Sequence, residues 1–159
     1  QTQREPHDAR PHGLIFFSMT PGLVSITFRK LSVMEIARLA SQAGLQCVEW
    51  GGDIHVPHGD LVAARETARI TADCGLRVSS YGSYLRLGAS SGPSPAEVVE
   101  TAVALGAPTI RVWAGTMGSA ESDEATRTAV VRDALAMADL AHAANTSIAY
   151  EFHANTLTD

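Results

Sequence analysis

A chain of 159 residues, 45% hydrophobic and 18% charged, is long enough to bury one ordinary core and too apolar for a disordered or fibrous protein. Its 17 acidic and 12 basic side chains leave a net charge of -5, so no general field draws it to nucleic acid or to an acidic membrane, and neither partner is expected. Cys47 and Cys74 lack any metal-finger spacing and read as separate buried thiols, which suits a reducing, cytoplasmic setting.

No apolar run approaches the roughly 20 residues that cross a bilayer. Residues 1–18 mix Arg, His, Pro and Asp before the short Leu14-Ile-Phe-Phe17 and read as an N-terminal tail, with 19–159 as the domain. The first strand is expected over 23–28. Ser32-Val-Met-Glu35 is a capping-box pattern that opens a helix over 33–43, closed by Gly44 before a strand over 46–51. Asp60 caps a helix over 61–74, and Gly75 turns the chain into a strand over 77–82. Ser94-Pro-Ala-Glu97 starts the next helix, 95–105, with proline at the position where its missing N–H costs nothing; Gly106 and a strand over 109–114 follow. Ser122 or Asp123 begins a long helix over 124–144, which ends at Asn145 before a last strand over 147–152.

Strict alternation with short connections implies parallel strands joined by right-handed crossovers. Two architectures satisfy that pattern. A doubly wound open sheet would be expected to carry Gly-x-Gly-x-x-Gly after its first strand, where Thr27-Phe-Arg-Lys-Leu31 stands instead. A (β/α)8 barrel needs eight such units in about 250 residues, and four and a half are present.

In both, ligands bind at the carboxyl ends of the strands. Arg29, Glu49, Trp50, His55, His58, Tyr81, Tyr84, Arg86, Trp113, Glu151 and His153 occupy those positions. Side-chain alternation puts Glu151 and His153 on one face with Ala149, while Ile148, Tyr150 and Phe152 turn toward helices. Each has a structural alternative. Arg29 could pair with Glu49, His55-Val-Pro-His58 could be a solvated loop, and Trp50, Tyr81 and Trp113 could be packing groups. One glutamate alone is not a metal site.

Three segments carry a resemblance: Pro21-Gly-Leu-Val-Ser-Ile-Thr-Phe-Arg-Lys-Leu-Ser32, Gly44-Leu-Gln-Cys-Val-Glu-Trp-Gly-Gly-Asp-Ile-His-Val-Pro-His-Gly-Asp60 and Tyr150-Glu-Phe-His-Ala-Asn-Thr-Leu-Thr-Asp159. They resemble the xylose isomerase-like TIM-barrel superfamily of sugar phosphate isomerases and epimerases. The resemblance implies an α/β fold, the N-terminal part of a (β/α)8 TIM barrel: βα units one to four plus strand five, incomplete in this chain. It also implies a metal-dependent sugar or sugar-phosphate isomerase or epimerase that moves a proton next to a carbonyl. Glu151 matches the strand-five glutamate, which binds a divalent metal and takes part in proton transfer. Oxygen-rich ligation favours Mn or Mg, with Co or Zn less so. Arg29, Glu49, Trp50, His55, Tyr81, Trp113 and His153 inherit substrate contact at most.

The remaining ligands would lie beyond Asp159. The chain is therefore expected to be an inactive N-terminal half, or to cover its open sheet edges by self-association, as a homodimer for instance. Competing readings are a non-catalytic half-barrel that self-associates or binds a sugar, and an enzyme like the zinc-dependent apurinic endonucleases, which the acidic balance disfavours.

Overall fold

A computed structural model describes residues 19–159 of the chain. The N-terminal tail assigned to residues 1–18 lies outside the described residues. The elements follow as β1 (Gly22–Val24), a 3-10 turn (Ser25–Phe28), α1 (Val33–Gln42), β2 (Cys47–Gly51), α2 (Leu61–Asp73), β3 (Arg77–Arg86), α3 (Pro95–Leu105), β4 (Thr109–Trp113), α4 (Glu124–Ala143) and β5 (Ser147–Tyr150).

The helix starts form as their residues dictate. Ser32 and Ser94 each make a complete capping box, with Glu35 and Glu97 respectively, and Asp60 and Asp123 accept from the amides three residues on. α3 closes on Gly106, whose left-handed backbone (φ 72°, ψ 27°) returns its N–H to the carbonyls of Ala102 and Val103. Asn145 plays the matching part after α4, at φ 54°.

All neighbouring strands pair in parallel, in the order β1-β2-β3-β4-β5. That order separates the two architectures left open by alternation. A doubly wound sheet reverses direction at a switch point, whereas a barrel adds each strand beside the last. This sheet never reverses, and it forms part of a barrel wall.

Register then sorts the side chains by face. One cross-strand row holds Trp50, Tyr81, Ile110 and Ile148, which turn toward the helices; the first three are fully buried in the core with Ile36, Val48, Val98 and Leu105. The opposite face holds Glu49 beside Ser80, then Gly82, Arg111 and Ala149 in one row. The hydrophobic core therefore lies between sheet and helices, and the polar groups line the inner wall.

The first strand departs from expectation. Only Gly22–Val24 is strand, and residues 25–28, expected to continue it, form a 3-10 turn. The cause is Ser25, fully buried, whose hydroxyl accepts the Gly51 N–H at 3.0 Å and lies 3.0 Å from His55 Nδ1. A side chain that takes the place of ladder partners bends the chain out of the strand. His55 Nε2 lies 3.2 Å from the Leu31 carbonyl, an acceptor only, so Nε2 carries the proton and the Ser25 hydroxyl donates to Nδ1.

Burial lowers the pKa of His55 below 6.5, against the opposing pull of Leu31 and Asp53. The folded state thus favours the neutral ring. Well above pH 6.5 the ring is neutral in both states and contributes no slope. As the pH falls through 6.5 the unfolded chain takes up the proton first and stability declines, levelling off below the folded pKa. Urea titrations from pH 7.5 to 5 check this. A His55→Gln variant with the same pH slope as the parent would refute it.

Candidate active site

The inner face gathers its charge around Arg111, in the middle of β4. Arg111 Nε donates to Glu49 Oε1 at 2.8 Å, and its Nη1 donates to Glu151 Oε2. Glu49 completes its shell with the Ser80 hydroxyl, which donates to Oε2 at 2.6 Å. Trp113, two residues beyond Arg111 and on the same face, donates its indole N–H to Glu151 Oε2 at 2.5 Å. The side chains of Arg111 and Glu49 are only 14% and 13% exposed, so this is a largely desolvated ion pair, while Glu151 is at 35%. Burial alone would disfavour the arginine's charge, but the two carboxylates outweigh it and hold Arg111 above its ordinary pKa.

Gly82 makes room for this arrangement. A Cβ there would lie 2.7 Å from Arg111 Nη2 and 2.9 Å from Glu49 Oε1, so any larger residue would push the ion pair aside. An open depression lined by Val24, Ile26, Thr27, Glu49, Arg111 and Glu151 lies over the pair.

An aromatic group flanks it. The Trp113 ring packs tilted against His153 at 4.5 Å between centroids and edge-on to Tyr84 at 5.0 Å, with the Arg86 guanidinium 4.2 Å from the Trp113 centroid. His153 Nδ1 donates to the Ala154 carbonyl at 2.7 Å. β5 ends at Tyr150, yet the Glu151 N–H still donates to the Val112 carbonyl, which fixes the start of the segment carrying Glu151 and His153. Phe152, expected to face a helix, is 87% exposed.

Of the residues expected at the site, the structure brings together Glu49, Trp113, Glu151 and His153. Arg29 does not pair with Glu49. The 3-10 turn carries it to Asp53, 2.5 Å away, and its Nη2 donates to the Tyr84 hydroxyl at 3.0 Å. Trp50 is fully buried on the helix side, its indole N–H donating to Thr71 Oγ1 at 3.1 Å. Tyr81 is buried on the same side; its hydroxyl donates to the Val56 carbonyl at 2.8 Å and accepts from His58. Desolvation pushes the Tyr81 hydroxyl far above the ordinary phenol range. His55 is the packed link between Ser25 and Leu31 described above. These three stand apart from the carboxylate cluster.

Arg111, Ser80 and Gly82 were not anticipated. Arg111 had a readable signal, since an arginine alternating with Thr109 and Trp113 inside an apolar strand must face something that carries charge. Ser80 and Gly82 had none.

Both protein donors to Glu151 use Oε2, which leaves Oε1 without a partner among the described residues. One open carboxylate oxygen does not make a metal site. No group of three or more His, Cys, Asp or Glu side chains among the described residues is placed to hold an ion. No helix among them is long and apolar enough to cross a membrane.

The family model described as "Xylose isomerase-like TIM barrel" matches residues 37–159. Among solved structures, the probable 3-DHS dehydratase AsbF involved in petrobactin synthesis from Bacillus anthracis superimposes with a TM-score of 0.72 at 23% identity, over 89% of this chain and 55% of that one. D-psicose 3-epimerase from Clostridium cellulolyticum H10, solved with D-tagatose, gives a TM-score of 0.64 at 11% identity, over 82% and 51%. A xylose isomerase domain protein from Planctomyces limnophilus gives 0.62 at 14%, over 82% and 53%. The chain spans about half the length of these structures. No curated protein matches it.

Proposed function

The chain belongs to the xylose isomerase-like TIM-barrel family, and from that premise we propose that it contributes to an isomerase or epimerase that moves a proton next to the carbonyl of a sugar or sugar phosphate. The observation that supports this most directly is the pair of carboxylates on the inner wall, Glu49 within β2 and Glu151 just past β5, bridged by Arg111, with Glu151 Oε1 left open. A carboxylate fixed by donors on one oxygen keeps the other for a proton or a cation. Arg111 and Trp113 hold Glu151 in place, while His153 and Trp113 form an aromatic wall beside it for a sugar to pack against. Arg29 reaches the site through the Tyr84 hydroxyl, to which its Nη2 donates.

Glu151 is the proposed metal ligand, for Mn or Mg ahead of Co or Zn. A bound divalent ion would polarise the carbonyl oxygen beside the proton that moves. The other ligands must come from outside the described residues, so this chain by itself is read as inactive. Two free thiols, Cys47 and Cys74, support a cytoplasmic setting.

Titration with Mn2+ should show weak binding that Glu151→Ala abolishes, and equal binding by both proteins would remove Glu151 as a ligand. A ketose incubated in D2O with a full (β/α)8 barrel that contains this chain should take up deuterium next to the carbonyl. No uptake would defeat the proton-transfer reading.

Self-association, or a non-catalytic half-barrel that self-associates, has its own support. α4 buries Val130, Met137 and Ala141 but leaves Val131 and Leu135 exposed, and with Ile148 and Tyr150 they line an apolar groove beside β5. Light scattering of the purified chain should return a mass above 16.8 kDa, reduced toward the monomer by Leu135→Glu. A monomeric parent would exclude self-association.

A further inference from the structure

Tyr84, near the loop end of β3, has a left-handed backbone at φ 57°. The other non-glycine residues with positive φ among the described residues are Asn145 and Asn155, and asparagine tolerates that conformation. A bulky ring there costs backbone energy that asparagine or glycine would avoid, and such residues concentrate at ligand sites. Ser83 secures the turn, its buried hydroxyl donating to the Arg111 carbonyl at 2.7 Å and accepting the Leu85 N–H at 3.2 Å.

The conformation delivers the ring to the mouth of the carboxylate cluster. It meets Trp113 edge-on, interplanar angle 76°, and lies 5.6 Å from the Arg111 guanidinium. Its oxygen accepts from Arg29 Nη2 and so ties the end of β3 to the segment after the 3-10 turn. The phenol's own proton has no acceptor among the described residues. Burial raises the phenol's pKa, so the proton stays on.

The charges around it are already matched. Arg29 is taken by Asp53 at 2.5 Å, and Arg111 lies between Glu49 and Glu151. Arg86 is engaged by the Trp113 ring and by the Gly115 carbonyl at 3.1 Å. Both guanidiniums that act on its hydroxyl, Arg29 and Arg111, are thus already paired with carboxylates, so a phosphate beside Tyr84 would find no unpaired guanidinium there. An uncharged hydroxyl would meet a donor.

We propose that Tyr84 is a ligand-contacting, specificity-determining residue that donates its O–H to an uncharged hydroxyl of the ligand and walls that end of the site together with Trp113. This rests on the sugar-binding reading above and narrows it to a ligand unphosphorylated at the end facing Tyr84.

The test is a titration of the chain with D-fructose and with D-fructose 6-phosphate, followed by Trp113 fluorescence in a Trp50→Phe background. D-fructose should bind more tightly than its phosphate. Tyr84→Phe, which keeps the ring, should weaken D-fructose about three- to tenfold, the worth of one hydrogen bond. Tyr84→Asn, which keeps the left-handed backbone cheaply, should bind both sugars alike. Unchanged affinity in Tyr84→Phe, or tighter binding of the phosphate by the parent, overturns the assignment of Tyr84 while leaving sugar binding intact. Failure of the parent to bind either sugar overturns the sugar-binding reading and this inference with it.

Discussion

Arg111→Met should lower the stability of the chain by about 3 kcal/mol, the low end of what breaking a buried ion pair from one side costs. The loss comes from what remains. Glu49, 13% exposed, would keep only the Ser80 hydroxyl and would face Glu151 with no cation between them. Glu151 is 35% exposed and can turn partly to water, which is why the low end applies. In a thermal melt this corresponds to a drop of roughly 6–12 °C for a chain of this size. Arg111→Lys should fall between, because an ammonium cannot reproduce the fork that reaches both carboxylates at once. Adding Glu49→Gln to Arg111→Met should restore a good part of the loss, since it removes the uncompensated charge. Equal stability of Arg111→Met and the parent would show that the two carboxylates do not depend on the arginine.

Why that arginine was missed shows what a sequence can and cannot carry. The repeat of helix, glycine and short strand is local information, and so are the capping boxes at Ser32 and Ser94. Both appear in the structure where their residues place them. Strand order is not local. Alternation fits a barrel and a doubly wound sheet equally well, and only the pairing of each strand with its successor separates them. The site has the same character. Glu151 and Trp113 are legible as strand-end groups, but Glu49 could be assigned a partner only by guessing which arginine reaches it. Arg29 is the nearer in sequence, whereas Arg111 lies two strands further on and reaches Glu49 across the glycine at 82. The 3-10 turn that removes Arg29 depends in turn on a buried contact between Ser25 and a backbone amide 26 residues away.

The two tryptophans make the same point with a larger expected effect. Each lies at or next to the end of a short strand, and each offered the same pair of readings, packing group or sugar platform. Register resolves them in opposite directions, because Trp50 falls in the helix-facing row with Tyr81 and Ile110, whereas Trp113 falls on the inner face two residues after Arg111. Trp50 is wholly excluded from solvent, and its indole N–H is satisfied by Thr71. Trp50→Ala should therefore cost about 4 kcal/mol, combining the lost transfer energy with a cavity between β2 and α2 that the neighbouring side chains cannot close. Trp113→Ala removes a half-buried ring and one bond to Glu151, a loss of about 1–2 kcal/mol. Trp50→Phe should lose less than Trp50→Ala and leave ligand affinity unchanged, whereas Trp113→Phe should weaken ligand binding with little change in stability. Chemical denaturation and ligand titration of the four variants check both halves. A Trp50→Ala protein as stable as Trp113→Ala would mean that the helix-facing row is not the core, and the assignment of the inner face as the site would lose its basis.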